Sequence, residues 1–153
     1  MRPFGNTLPT ASMVARTVRR SLVRVDGELT DALTVLGATV RHPIEHVEVF
    51  AAPSAVTSVR FTTDELASLC PVTQQPDLAR VVIDYMPDAW CIESKSLKLY
   101  LWGFRDRAVF AEALAAEIAR EVMTTAQPHA VTVTLTQRPR GGIEVEATAR
   151  LVR

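Results

Sequence analysis

The chain has 153 residues, 48% of them hydrophobic, and its 17 basic side chains equal its 17 acidic ones in number. This length is typical of one domain with a single core, and no apolar run is long enough to span a bilayer. Two cysteines are too few for a disulfide framework, so we expect free thiols in a reducing cytoplasm. They come without a Cys-x-x-Cys pair or a histidine-rich set, so we expect no metal site.

The charge is distributed unevenly along the chain. Five arginines and no acid occur in the first 25 residues, and the remainder is acidic overall. We therefore predict a flexible basic leader over residues 1–27 and one domain over 28–153. The leader's composition also fits an organellar transit peptide, although no cleavage signal accompanies it. The acidic body argues against a nucleic-acid surface.

The first half of the domain predicts two strands with a loop between them. Residues 45–50 alternate in polarity, and residues 80–85 are rich in β-branched side chains and stop before Pro87. Residues 63–66, Thr-Asp-Glu-Leu, indicate a short helical turn. The two prolines within residues 70–77 indicate an irregular loop.

The second half predicts a helix followed by a hairpin. Over residues 108–124 an apolar residue recurs every fourth position, at Phe110, Leu114, Ile118 and Val122. Residues 131–136 and 143–150 alternate as strands do, and Pro-Arg-Gly-Gly at 139–142 makes the turn. The order of elements indicates an α+β fold, an antiparallel sheet with its helices on one face.

Cys70 is the candidate nucleophile. A thiol is a weak nucleophile unless its surroundings favour the thiolate. Asp77 follows seven residues later, beyond two prolines, so the loop can return its carboxyl to the sulfur as a proton donor. The alternative is a buried, inert cysteine. Cys91 is interpreted as a small apolar side chain.

The two lysines of the chain lie close together, although arginine provides the basic charge everywhere else. Lys95 and Lys98 both fall within residues 93–100, against fifteen arginines over the whole chain. A compact ammonium at two neighbouring positions suggests a chemical requirement. The alternative is a solvated basic edge.

Two motifs together resemble a known family. Cys-Pro-x-Thr-x-Gln-Pro-Asp, at residues 70–77, is followed sixteen residues later by Glu-Ser-Lys-Ser-Leu-Lys-Leu-Tyr, at 93–100. This pair resembles the 7-cyano-7-deazaguanine reductases of queuosine biosynthesis in their short single-domain form, over about residues 33–145. The resemblance implies the tunnelling fold: a four-stranded antiparallel sheet with two helices on one face. It also implies a homo-oligomer, assembled as a multi-subunit barrel with active sites between subunits.

The resemblance implies a chemical role for the cysteine motif. Cys70 would add to the nitrile carbon of 7-cyano-7-deazaguanine as a covalent thioimide, and Asp77 would protonate the nitrogen. Two hydrides from NADPH would then give the amine. Lys95, Lys98 and Arg140 match positions that hold the cofactor's phosphates, on loops from neighbouring subunits. No Gly-x-Gly-x-x-Gly follows a strand, so no Rossmann unit is expected.

Other residues match the substrate site, with one departure. Glu93 and Glu112 correspond to acids that would bind the guanine-like edge of the substrate. The family usually has Phe-His-Glu before the long helix, whereas this chain has Phe110-Ala111-Glu112. None of the three histidines replaces the missing one, and we expect surface or capping roles for His42, His46 and His129. Arg105 is a further basic candidate, for which we expect a structural salt bridge.

The sequence therefore leaves three alternative functions. The first is nitrile reduction. The second is a relative that forms the same thioimide and makes an amidine; it should lack the cofactor lysines, which this chain has. The third is a non-catalytic protein of the same fold that binds a purine or pterin, against which the retention of Cys70 and Asp77 argues.

Overall fold

The computed structural model describes residues 34–153, together with the backbone of Leu22–Val25 (β1) and Glu28–Asp31 (β2). These two strands pair with each other in antiparallel fashion. Most of the predicted leader lies outside the described residues, so the division at residue 27 stays a prediction. In the described part of the chain, no helix is both long and apolar enough to cross a membrane.

A four-stranded antiparallel sheet forms the centre of the fold, as predicted, in the order β4-β5-β7-β8. A short antiparallel pair, β3 with β6, accompanies it. In chain order the elements are β3 (Val49–Ala51), β4 (Val59–Leu69), β5 (Pro76–Met86), β6 (Trp90–Ile92), α1 (Ser94–Trp102), α2 (Ala111–Ala126), β7 (Ala130–Arg140) and β8 (Ile143–Val152).

One face of this sheet is buried under both helices. Val81 and Ile83, alternate residues of β5, are each 1% exposed and join one cluster with Leu97 of α1 and Ile118 of α2. The helix stripe is confirmed at Leu114, Ile118 and Val122, each at most 2% exposed. Burying an aliphatic side chain of this size contributes about 1.5–3 kcal/mol. The opposite face of the sheet carries partly exposed polar residues such as Thr132 and Thr134.

The predicted turn between the last two strands is confirmed, and its glycines explain it. Gly141 and Gly142 have φ angles of +63° and +84°. Positive φ at both central residues is what a tight hairpin turn requires, and it is costly for residues with a Cβ. Arg140 and Ile143 pair across it, so the two strands run longer than the alternation predicts.

The predicted helical turn at residues 63–66 is wrong. These residues lie within β4, and the pairing with β5 shifts register between Thr63 and Leu66. The hydroxyl of Thr63 accepts a hydrogen bond from the backbone N–H of Glu65 at 3.1 Å, which imitates a helix cap inside a bulge. Pairing along β5 therefore overrides the local signal. The predicted strand at 45–50 is also shorter, because β3 begins only at Val49.

The long helix begins three residues later than predicted. Phe110 is the residue before its first turn, has extended backbone angles and is 57% exposed, so it does not belong to the buried stripe. The two lysines lie on α1, a nine-residue helix, and not on a loop. A helix this short has too few turns to show a clear apolar period.

Candidate active site

Cys70 begins a tight loop at the end of β4. Its backbone N–H donates to the carbonyl of Gln75 at 2.9 Å, and its carbonyl accepts from the N–H of Gln74 at 2.9 Å. Gln74 has φ of +59°, the left-handed conformation that reverses the chain, and its amide donates to the carbonyl of Pro71 at 3.3 Å. The sulfur is thus held in a closed loop and is not on a mobile tether.

The surroundings of Cys70 favour the thiolate. Hydrogen bonds from the Thr73 side chain, then from the backbone N–H groups of Thr73 and Val72, lower the pKa of the Cys70 thiol from 9.0 to about 7. Burial opposes this effect, and Arg140 adds a smaller lowering. Cys70 is 7% exposed. Near neutral pH a substantial part of the thiol is therefore ionised, as a nucleophile requires.

Asp77 reaches the same place through strand pairing, so its predicted position within an irregular loop is corrected. It is the second residue of β5, where it pairs with Ser68 of β4, and it is 8% exposed. Arg140, at the end of β7, places Nη1 2.7 Å from Oδ1 of Asp77. The structure therefore joins Cys70, Asp77 and Arg140.

The start of α2 lies beside the Cys70 loop. The backbone N–H of Leu69 donates to the carbonyl of Arg107 at 2.9 Å, and the N–H of Val109 donates to the carbonyl of Leu69 at 3.1 Å. Ala111 and Glu112 follow Val109 by two and three residues, so this bridge brings the start of α2 to the residue that precedes Cys70. Ala111 is 8% exposed, and Glu112 is exposed in the first helical turn.

The carboxylate of Glu93 is occupied in this chain. It caps α1, accepting from the backbone N–H of Lys95 at 2.8 Å and from that of Ser96 at 2.7 Å, and Glu93 is 5% exposed. These bonds satisfy two of the N–H groups that a helix start leaves unpaired. The role of Glu93 in binding substrate stays a prediction.

The two lysines differ in their surroundings. Lys95 donates from Nζ to the carbonyl of Val35 at 2.7 Å and to that of Ala38. Lys98 is exposed, and its ammonium group makes no hydrogen bond or ion pair within the described residues. In that same part of the chain, neither lysine contacts Cys70 or Asp77. The structure of one chain therefore leaves the lysines and the Cys70 group as separate clusters.

A cavity of about 720 Å³ lies between β4 and α1, and Lys98 lines it. Its walls include the apolar side chains of Leu66 and Leu97, and also Trp102 and Arg105. Within the described residues the salt bridge expected for Arg105 is not found: its guanidinium lies over the Trp102 ring at 5.8 Å, and no described acid pairs with it. In this part of the chain the cavity thus offers two cations without acid partners, which suits an anionic ligand.

Sequence reasoning alone missed the contribution of Thr73. The motif contains it three residues after Cys70, a spacing at which a loop can return a hydroxyl to the sulfur, but only the closed loop shows that it does. The histidine expectations are confirmed, since the exposed rings of His42, His46 and His129 contact Pro43, Glu121 and Asp88. Cys91 is buried, as expected for a small apolar side chain.

Comparison with known proteins places these residues in a family. Residues 76–153 match the family model described as QueF-like protein. A protein of Methylocella silvestris named NADPH-dependent 7-cyano-7-deazaguanine reductase is 42% identical over 125 residues, which cover 78% of this chain and 82% of that relative. One of the same name from Sinorhizobium fredii is 47% identical over 88 residues.

The matched segments differ in extent. The Sinorhizobium fredii match covers 58% of this chain and 57% of the relative, so the chain spans little more than half of that relative's length. Among solved structures, one described as the archaeosine synthase QueF-Like in the apo form aligns with a TM-score of 0.59 and 27% identity, covering 65% of this chain and 94% of that one. The family model and the Methylocella silvestris relative agree, and the chain belongs to the QueF-like protein family.

Proposed function

We propose that this protein catalyses the NADPH-dependent reduction of 7-cyano-7-deazaguanine to 7-aminomethyl-7-deazaguanine. The names of its relatives support this substrate. The observation that carries the proposal is the junction of Cys70, Asp77 and Arg140, in which the Arg140 side chain contacts both a thiol with lowered pKa and the carboxyl group of Asp77. A protein that only binds a purine has no need of an activated thiol.

The chemistry of the first step follows from these groups. The thiolate of Cys70 adds to the nitrile carbon, forming a sulfur–carbon bond while one π bond of the nitrile breaks. The nitrogen takes up a proton from Asp77 as general acid, after Asp77 has received the proton that the Cys70 thiol loses. The product is a covalent thioimide. Arg140 then lies beside the Asp77 carboxylate that remains and stabilises its charge.

The cofactor fits the cations on α1 better than it fits Arg140. When bound, NADPH would supply the two hydride equivalents that convert the thioimide carbon into that of a primary amine. Among the described residues Lys98 has no partner and can hold a phosphate, whereas Lys95 must first leave the carbonyls of Val35 and Ala38. Arg140 is engaged by Asp77. We therefore rank Lys98 first among the predicted cofactor residues.

The proposal includes the tunnelling fold and a homo-oligomer whose active sites lie between subunits. Both edges of the main sheet, β4 and β8, have no partner strand among the described residues. Ile143 and Val152 on β8 are 70% and 64% exposed. Unpaired edges favour association, and a neighbouring copy could complete the active site beside the Cys70 group. A cytoplasmic location, where thiols stay reduced, belongs to the same proposal.

A second candidate function is amidine formation from the same thioimide. The structural relative described as an archaeosine synthase favours it, and so does Ala111 in place of the family's usual histidine. In that reaction ammonia would attack the thioimide carbon and displace the sulfur of Cys70. The adduct would form in both cases, and only the reductase would consume NADPH.

Intact mass spectrometry with the nitrile, in the absence of NADPH, tests the shared first step. We expect a mass increase equal to one nitrile per chain, absent in Cys70→Ala and retained in Cys91→Ala. The two variants remove the same group from different places. An unshifted mass, or an equal shift in Cys70→Ala, would exclude both thioimide functions and leave a binding protein.

A further inference from the structure

We infer that Arg105 is an additional cofactor-binding residue, and that it contacts the diphosphate of the dinucleotide from the cavity between β4 and α1. This inference rests on the proposed function. It assigns a binding role to a residue outside the Cys70 group and outside the lysine motif.

The charges around the cavity support an anionic ligand. Lys98 and Arg105 both line it, and within the described residues neither side chain has a hydrogen bond or an acid partner. Among these residues Glu65 is the single acid of the lining, so the two cations outnumber it. The floor is apolar, including Leu66 and Leu97. A phosphate backbone bearing flat rings matches this mixture of cationic wall and apolar floor.

Arg105 also lies over an aromatic ring of the same cavity. Its guanidinium is 5.8 Å from the centre of the Trp102 ring, and Trp102 lines the cavity. Attraction between the cation and the ring favours this position of the guanidinium. The N–H donors of a guanidinium form the fork that binds two phosphate oxygens at once.

The course of the chain indicates which phosphate Arg105 meets. The cavity follows β4 from Phe61 to Ala67, and Cys70 lies three residues beyond, roughly 10 Å at the rise of a strand. Arg105 is two residues before Arg107, whose carbonyl bonds Leu69 next to Cys70. Counted from Arg107, which bonds Leu69, Arg105 is two residues away and Lys98 is nine, so Arg105 is the nearer of the two cations to this contact beside Cys70. Because nicotinamide must reach the adduct, the diphosphate lies next to it and the 2′-phosphate lies farthest away.

Calorimetric titration of the whole protein with NADPH and with NADH tests the inference. Arg105→Gln should weaken both by the same factor, about tenfold to a hundredfold, since a charge-assisted hydrogen bond to a group common to both is lost. Arg105→Lys, which keeps the charge without the fork, should lie between. Arg120→Gln, the same change at an exposed position on α2, should bind as the wild type does.

Three results would overturn the inference. Unchanged binding in Arg105→Gln would show that the cavity does not hold the cofactor. Weaker binding of NADPH alone would move Arg105 to the 2′-phosphate. If the wild type binds neither dinucleotide, both the inference and the proposed cofactor are wrong. Formation of the nitrile adduct at Cys70 would then show whether the first step of the proposed function is still correct. Adduct formation by Arg105→Gln verifies that this variant is folded. If it forms no adduct, the comparison of dinucleotide binding by Arg105→Lys and by Arg120→Gln tests the inference instead.

Discussion

The guanidinium of Arg140 joins the two groups assigned to the first chemical step: its Nη1 lies 2.7 Å from Oδ1 of Asp77, and the same side chain hydrogen-bonds Cys70. The family resemblance places Arg140 with the cofactor phosphates instead. In one chain the hairpin of β7 and β8 directs it to Asp77. A test that separates nitrile addition from cofactor binding distinguishes the two roles.

Arg140→Gln should slow formation of the Cys70 adduct by about tenfold or more, because a charged hydrogen bond to a buried carboxylate is removed. Lys98→Gln should leave this rate unchanged and weaken NADPH binding. Both rates are measured by intact mass without NADPH. A normal adduct rate in Arg140→Gln, with weakened NADPH binding, would return Arg140 to the cofactor.

The reactivity of Cys70 should depend on pH with a midpoint near 7. The lowered pKa means that the thiolate is present above about pH 7 and is lost by protonation as the pH falls below it. The rate of alkylation by iodoacetamide should follow that fraction. Burial raises the pKa of Cys91, so Cys70→Ala should remain unlabelled over the same range. A midpoint near 9 would show that the loop does not activate the sulfur.

The Thr73 side chain makes the largest contribution to the lowered pKa of Cys70, and substitutions at this position test that contribution. Thr73→Val removes the hydroxyl at nearly constant shape and should move the alkylation midpoint to higher pH. Thr73→Ser keeps the hydroxyl and should retain most of the shift. Equal midpoints in all three proteins would assign the lowering to the backbone N–H groups of Val72 and Thr73.

Glu93 should act as the cap of α1, whatever its role toward substrate. Glu93→Ala removes the acceptor for two backbone N–H groups and should lower the free energy of unfolding by about 1–2 kcal/mol. The melting temperature would fall by about 2–4 °C per kcal/mol for a chain of this size. Ser94→Ala, at an exposed neighbouring position, is the control. An unchanged free energy of unfolding in Glu93→Ala would show that the carboxylate does not stabilise α1, and substrate binding would remain as its role.

Ala111 is where the chain departs from its family's pattern, at the start of α2. If the usual histidine transfers a proton, its absence leaves a slow enzyme, since such help is typically worth roughly a hundredfold or more. We expect slow reduction in the parent protein and faster reduction in Ala111→His. Reduction by the parent without gain in Ala111→His would contradict this view. Adduct formation without reduction in either would support amidine formation.

The amphipathic patterns predicted much of the fold. The stripe of α2 and the alternation of β7 and β8 each repeat over several turns or residue pairs, so local sequence determines them. The helical turn predicted at residues 63–66 failed because strand pairing with β5, a distant segment, decides that conformation. Helix α1 has only nine residues, too few for a clear hydrophobic period in the sequence.

The site was less accessible to sequence reasoning than the fold. The motif indicates Cys70 and Asp77, yet the ion pair of Asp77 with Arg140 depends on how β5, β7 and β8 align. That contact has no local sequence signature, because it joins distant segments by tertiary packing. The contact of Arg105 with Trp102 is local, three residues apart, but it depends on the turn after α1.

The most direct measurement of the central claim follows NADPH absorbance with 7-cyano-7-deazaguanine present and absent. We predict loss of absorbance only with the nitrile, two NADPH consumed for each amine formed, and no loss in Cys70→Ala. Absorbance that stays constant with the nitrile, in a protein whose Cys70 adduct forms normally, would contradict nitrile reduction.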